Sequence, residues 1–390
     1  MAYEALDFLH FDDVLSEEEI IIRDTVRKFV DKEVIPIIGE HWEAATFPMD
    51  LIPKMAELGV LGPFVPTKYG GAGCSYTMYG LICQELERGD SGVRSFGSVQ
   101  GSLVMYPILH FGSEEQKMEY LPKLAAGKII GCFGLTEPDA GSDPGSMLTK
   151  ARKDGNHWIL NGTKMWITNG TMADIAVVWA KDEAGKIRGF IVHKDDKGFS
   201  APEQKHKVSL RASVTSELVL EDVRIPASRE LPNTSGLKSP LMCLTSARFG
   251  IGWGAVGVMQ SVLDEAINYT KERIMFGKPI ASFQLTQQKL AEIATDLTSS
   301  QWMAYRVGRL ADEDKMKFYH VSMIKRHNVN AALVAARKVR SMLGANGITL
   351  EYQAMRHMCN MESVQTYEGT FEIHTLILGE QLTGISAFKG

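Results

Sequence analysis

Apolar positions along the chain change their period twice. Over residues 1–125 they recur at helical spacing. Ser16 and Glu19 form a capping-box pattern, and Ile22, Val26, Phe29 and Val30 follow on one helical face. Ser113 and Gln116 repeat the box ahead of Tyr120 and Leu121. Between them, 66–73 (Pro-Thr-Lys-Tyr-Gly-Gly-Ala-Gly) reads as a loop, and a long helix is expected to end near Gly89-Asp90-Ser91-Gly92. From 126 to 235 short β-rich runs take over, at 158–160, 175–179, 190–192 and 217–220. Asp154-Gly155, Asn161-Gly162 and Ala184-Gly185 read as turns, and Pro226 and Pro232 as the exit. Residues 236–390 return to helices, with segments 244–272, 284–312, 316–343 and 372–386 each long enough for a bundle. Leu290, Ile293, Ala294 and Leu297 make one stripe, and the glycines at 250, 252 and 254 read as close helix packing. The expected class is α+β: an N-terminal helical domain (1–125), a central antiparallel β domain (126–235) and a C-terminal four-helix bundle (236–390).

Composition narrows the function classes. A formal net charge of −5 with no basic run argues against a nucleic-acid surface. Cys74, Cys83, Cys132, Cys243 and Cys359 are odd in number and form no C-x-x-C, so neither a disulfide framework nor a zinc site is indicated. Reduced thiols fit a bacterial cytoplasm, or a mitochondrial matrix for a processed form. No secretory or transit pattern is read at the N-terminus, and no apolar run of membrane-spanning length.

Four stretches carry candidate chemistry. In Gln365-Thr366-Tyr367-Glu368-Gly369-Thr370, a carboxylate followed by Gly and Thr suits a proton acceptor held at a bend. It equally suits a solvated helix end. The run from Phe133 to Asp143, with Leu135, Thr136, Gly141 and Ser142, offers amides and hydroxyls to a ring edge or a phosphate. It is neither a P-loop nor a dinucleotide fingerprint, and an ordinary surface turn has the same composition. Trp166-Ile167-Thr168 suggests a buried aromatic that packs on a flat cofactor or fills the sheet core. Arg273 and Phe276, with Gln284 beyond, offer a charge for pyrophosphate and a stacking ring; the alternative is a helix C-terminus closed by Gly277.

In this order and spacing the four stretches resemble the acyl-CoA dehydrogenase family of flavoproteins. Gly-Val-Leu-Gly-Pro (59–63) and Leu-Gly-Ala-Asn-Gly (343–347) extend the resemblance over nearly the whole chain. The run from Glu85 to Ser95, then Ser98-Val99-Gln100, Val208 to Ser213 and Ala247-Arg248-Phe249-Gly250 resemble the branch acting on glutaryl-CoA. Val208 and Ser341 depart from the residues common there, Phe and Gln.

The resemblance implies an acyl-CoA dehydrogenase-like fold, FAD as cofactor, a homotetramer and electron-transferring flavoprotein as partner. It implies Glu368 as catalytic base, with its backbone amide helping to hold the thioester oxygen. Phe133, Leu135, Thr136, Gly141, Ser142, Trp166, Ile167, Thr168, Thr370 and Phe388 would hold the flavin. Arg273, Phe276, Gln284 and Ser341, Met342, Leu343 and Gly344 would reach the FAD of a neighbouring subunit. For the substrate it implies Arg94 opposite a glutaryl carboxylate, with Glu87, Ser95, Thr168 and Tyr367 lining the same end, and Ser98, Ser142, Arg248 and Gly369 as further substrate-binding residues. A buried Arg has little use beside a plain fatty acyl chain. Glu87 and Arg94, seven positions apart, are also able simply to pair with each other. Oxidation followed by loss of CO2 is the expected reaction. A longer or aryl-substituted diacid, a non-decarboxylating enzyme and a family member without catalysis are the alternatives.

Overall fold

The computed structural model describes residues 6–387. Ser16 accepts from the Glu19 amide and Glu19 from the Ser16 amide, opening α1 (Glu17–Phe29). This satisfies donors that a helix start otherwise leaves orphaned. A π-helical turn, Val30–Val34, leads into α2 (Ile35–Ala44), and α3 (Leu51–Glu57) follows. α4 (Tyr76–Gly89) and α5 (Ser91–Ser98) meet at Asp90. Its extended backbone, φ −166°, stops the first helix, and its carboxylate accepts the Gly92 amide at 2.6 Å to start the second. Glu87 and Arg94 therefore lie on different helices, either side of a corner. α5 continues through a π-helical stretch, Val99–Met105, into α6 (Tyr106–Phe111). The expected box at Ser113 and Gln116 opens α7 (Glu114–Ala125).

The sheet comprises β1 (Gly131–Gly134), β2 (Lys150–Asp154), β3 (His157–Thr168), β4 (Ile175–Lys181), β5 (Ile187–His193), β6 (Phe199–Ser200) and β7 (Thr215–Pro226). Its order is β1-β4-β2-β3-β7-β6, with β5 paired to β4. Most pairs are antiparallel as expected, but β1 runs parallel to β4 and one β2–β4 pairing is parallel, so the sheet is mixed. The chain between Gly134 and Ile175, with β2 and β3 in it, supplies the crossover that parallel strands need. Asn161-Gly162 is not a turn. It lies inside β3 at a register shift, where a Cβ on Gly162 would sit 2.5 Å from Thr149 Oγ1. That glycine admits a close neighbour and does not reverse the chain.

The C-terminal part holds α8 (Lys238–Glu272), a small hairpin of β8 (Ile274–Met275) and β9 (Lys278–Pro279), then α9 (Gln284–Asp312), α10 (Phe318–Met342), α11 (Gln353–Thr366) and α12 (Phe371–Thr383). α11 joins the four segments expected from sequence. Its apolar stripe, Ala354, Met361 and Val364, is interleaved with buried Arg356, His357 and Asn360. Arg356 donates to Gly89 O at 2.9 Å and to the Asp90 carboxylate, and Asn360 donates to that carboxylate at 2.8 Å. α11 thus fastens the α4–α5 corner.

α8 is long and apolar enough to cross a membrane, which the sequence reading did not expect of any segment. Most of that stretch is buried within the protein, between α4 and α10. Gly254 sets the approach of α4, since a Cβ there would fall 1.7 Å from Glu87 Oε2. Gly254→Ala is expected to displace Glu87 and to cost about 1–3 kcal/mol of stability by overpacking. Thermal unfolding checks this against Gly379→Ala, whose Cβ would meet nothing within 4 Å.

Candidate active site

Tyr367, Glu368, Gly369 and Thr370 link α11 to α12. Thr370 is committed as the cap of α12, accepting from the Ile373 amide at 3.2 Å. Glu368 has φ 51° and Gly369 φ 99°. A non-glycine residue in the left-handed region costs about 1–2 kcal/mol, so its surroundings must hold it there. They do so through three successive carbonyls. Arg248 Nε, on α8, donates to Glu368 O. Lys325 Nζ, on α10, donates to both Tyr367 O and Gly369 O. Gly369 has no room for a side chain: a Cβ would lie 2.9 Å from His374 Nε2 and 3.2 Å from Arg248 Nη2.

The Glu368 carboxyl is built to take a proton. Its Oε2 is buried with no hydrogen-bond partner. Burial raises its pKa above the usual carboxylate range, against the pull of Arg248, Arg94 and Lys325. The Glu368 amide has no hydrogen-bond partner among the described residues and is free for a substrate oxygen.

Arg94 is 1% exposed and reaches this turn through the Tyr367 hydroxyl. Its Nε donates to Glu87 Oε2 at 2.6 Å, its Nη2 to Glu87 Oε1 at 3.2 Å and also to the Tyr367 hydroxyl. The Glu87–Arg94 pairing left open by the sequence is therefore formed. It does not exhaust the guanidinium, since Nη1 has no hydrogen-bond partner among the described residues. Burial opposes the charge, but Glu87 and Tyr367 outweigh it and Arg94 stays protonated. Ser98 Oγ is buried without a partner, and Ser95 Oγ lies by the Tyr367 phenol without a hydrogen bond of good geometry. Glu87, Arg94, Ser95, Tyr367, Glu368, Gly369 and Arg248 are thus brought together by α4, α5, α8 and one turn. Thr168, at the end of β3, makes no side-chain hydrogen bond to this group among the described residues.

The candidate flavin residues form a second group. Phe133 lies in β1, and Leu135 and Thr136 follow the strand's last residue, Gly134. The Met165 amide donates to Thr136 O at 2.8 Å, joining this loop to β3 beside Trp166. Trp166 is not the buried aromatic expected. It is 61% exposed with φ 62°, turned out of the sheet at the register shift between Lys164 and Ile167, and Ile167 takes the core position. Behind the loop, Lys164 Nζ donates to Leu135 O at 3.1 Å and to Glu137 Oε1 at 2.7 Å. Gln100 ties the two groups: it accepts from the Gly131 amide at 2.9 Å, at the start of β1, from the helical run that begins with α5. A flavin needs a flat apolar platform with hydroxyls and amides at its edge. The exposed indole of Trp166, with the side chains of Thr136, Ser142 and Thr168 uncommitted among the described residues, fits that demand.

Arg273, Phe276 and Gln284 lie elsewhere, exposed around the β8–β9 hairpin. α8 ends at Glu272, so Gly277 does not close it. Phe276 (φ 51°, 91% exposed) and Gly277 (φ 77°) are the hairpin's two turn residues, both with the positive φ that a type I′ turn demands. Ser341 and Met342 end α10, Leu343 caps it and Gly344 follows, and Tyr269 donates to Leu343 O at 3.3 Å. These two sets share one end of the bundle and form no hydrogen bond with the Arg94–Glu368 group among the described residues. Phe388 lies outside the described residues. Lys325 and Lys164 were not singled out by sequence reasoning, and Gln100 was named only as part of the resemblance, with no role.

A helical–sheet–helical enzyme fold with a strained, buried carboxylate on its last turn is thus defined. Models of the acyl-CoA dehydrogenase N-terminal, middle and C-terminal domains match residues 16–128, 132–223 and 234–383. The human mitochondrial short-chain specific acyl-CoA dehydrogenase is 36% identical over 386 residues, covering 98% of this chain and 94% of that one. The crystal structure of a glutaryl-CoA dehydrogenase from Mycobacterium smegmatis in complex with FADH2 superposes with a TM-score of 0.97 at 52% identity, over 98% of this chain and 99% of that one. A glutaryl-coenzyme A dehydrogenase in complex with glutaryl-CoA is 32% identical with a TM-score of 0.92, over 98% of each chain. The chain belongs to the acyl-CoA dehydrogenase family, whose members depend on FAD.

Proposed function

We propose that this enzyme oxidises and decarboxylates glutaryl-CoA to crotonyl-CoA and CO2, and passes the electrons to electron-transferring flavoprotein. The observation that carries this reading is Arg94, buried and charged, bonded through Tyr367 to the turn that presents Glu368. In the surrounding space three basic groups, Arg94, Arg248 and Lys325, face two carboxylates, Glu87 and Glu368. A third carboxylate from a diacid thioester balances the set, and the free Nη1 of Arg94 is a donor for it.

Phe133 to Thr136, Ser142 and Trp166 to Thr168 would hold FAD, which would supply the acceptor for the hydride lost from Cβ. Glu368 removes the α-proton, with the thioester oxygen held by its own amide. Once the α,β double bond is in place, the γ-carboxylate is vinylogous to the thioester carbonyl. Carbon–carbon cleavage releases CO2 and sends the bonding pair into the conjugated thioester. The proton on Glu368 then returns to the resulting dienolate. Exposed Arg273, Phe276, Gln284, Ser341 and Gly344, with Met342 and Leu343 between the last two, are read as the face toward a neighbouring subunit's FAD in a homotetramer.

Anaerobic mixing with glutaryl-CoA is expected to bleach the flavin and yield crotonyl-CoA by mass analysis. Glutaconyl-CoA as sole product would limit the activity to dehydrogenation. Faster bleaching by butyryl-CoA than by glutaryl-CoA would overturn the diacid assignment, and a longer diacid working best would move it along the chain-length series.

A further inference from the structure

We propose that Lys325 is the positioning residue of the base: its ammonium clamps the two carbonyls flanking Glu368 and fixes the left-handed turn that aims the carboxylate. The proposal rests on Glu368 being the base. Three features of Lys325 support it. It is fully buried on α10, and both of its hydrogen bonds go to main-chain oxygens of this one turn. Arg248 takes the carbonyl between them, so α8 and α10 together hold three consecutive peptide units. No substrate or flavin candidate side chain is hydrogen-bonded by Lys325 among the described residues, which leaves positioning as its work.

Charge gives it a second effect. Arg248 on α8, Arg94 on α5 and Glu368 itself are the charged groups acting on Lys325, with Glu87 on α4 neutralising Arg94. His374 on α12 is neutral, its pKa pushed down to about 2, chiefly by burial. α9 and α11 also pack on α10 and contribute no charged group to this site among the described residues. Burial and the two arginines hold Lys325 below its usual range, and a bound carboxylate draws it back toward the charged form. A positive neighbour favours the ionised carboxylate, so removing Lys325 raises the pKa of Glu368 and moves the acid limb of catalysis to higher pH.

The test is stopped-flow flavin bleaching across pH at saturating glutaryl-CoA, with FAD content measured for each protein. Lys325→Met is expected to keep FAD, to slow bleaching ~100-fold through lost alignment, and to shift the acid limb up by about one pH unit. Lys325→Gln keeps two N–H donors without the charge. It is expected to recover most of the rate while its acid limb stays shifted. An FAD-loaded Lys325→Met protein within threefold of the parent rate, or with an unmoved limb, overturns the proposal. So does failure of both variants to bind FAD, which makes Lys325 a residue of the fold. Glu368→Gln run alongside separates the two readings: normal bleaching there means the base is misassigned, whatever Lys325 does.

Discussion

Glu368→Gln is expected to leave FAD bound and to slow bleaching by acyl-CoA ~10⁴-fold, the upper range for loss of a positioned base. The substitution is well isolated. Gln has the size of Glu, and Oε2 of Glu368 has no hydrogen-bond partner to lose. The bonds that hold the turn, from Arg248 and Lys325, go to main-chain oxygens and survive any side-chain change. The loss therefore reports proton transfer and not a collapsed site. The pH profile adds a second check. The carboxyl pKa is raised by burial, so the base is ionised only above that raised value, and the parent rate falls as pH drops through it. In the amide variant this limb disappears. Unchanged reduction by an FAD-loaded Glu368→Gln protein would move the base elsewhere.

What the sequence disclosed follows from how local each signal is. The capping boxes at Ser16 and Ser113 are four-residue signals, and both are formed as read. The long helices show because their stripes run for many turns, as with Ile293, Ala294 and Leu297. β1, Gly-Cys-Phe-Gly, is too short and too buried to alternate, so neither the strand nor its parallel pairing was visible. Gly162 looked like a turn because glycine serves both reversal and close approach, and only Thr149, contributed by a preceding segment, tells them apart. Trp166 turns outward because of backbone, φ 62°, and residue type does not report φ.

At the site, Glu368, Arg94, Glu87 and Tyr367 were legible through motif resemblance, and the structure brings them together. Lys325 was overlooked although a signal existed. It lies at helical spacing among Val321, Ile324, Asn328, Val329 and Ala332, a lone cation on an apolar face. A lysine there must find acceptors or lose its charge. Its acceptors are carbonyls some forty residues on, which no local pattern encodes.

The sharpest test of substrate choice removes a pair, not a residue. Glu87→Gln with Arg94→Met is expected to lower kcat/KM for glutaryl-CoA by about 30- to 5,000-fold while butyryl-CoA changes by less than about tenfold. The range is the 2–5 kcal/mol typical when one partner of a buried charge pair is truncated, here the partner of the substrate carboxylate, converted at 1.36 kcal/mol per tenfold. Arg94→Met alone is a poorer instrument. It strands the Glu87 carboxylate, fully buried and accepting two hydrogen bonds from Arg94, at a cost of about 3–5 kcal/mol. That cost acts on every substrate and on stability, so the single variant is expected to melt at a lower temperature than the double one. Neutralising Glu87 at the same time removes the stranded charge and leaves only the missing contact to the far carboxylate. If the double variant loses both substrates equally, Arg94 serves the α4–α5 corner and not the diacid. If it loses neither, the far end of the acyl chain lies away from Arg94.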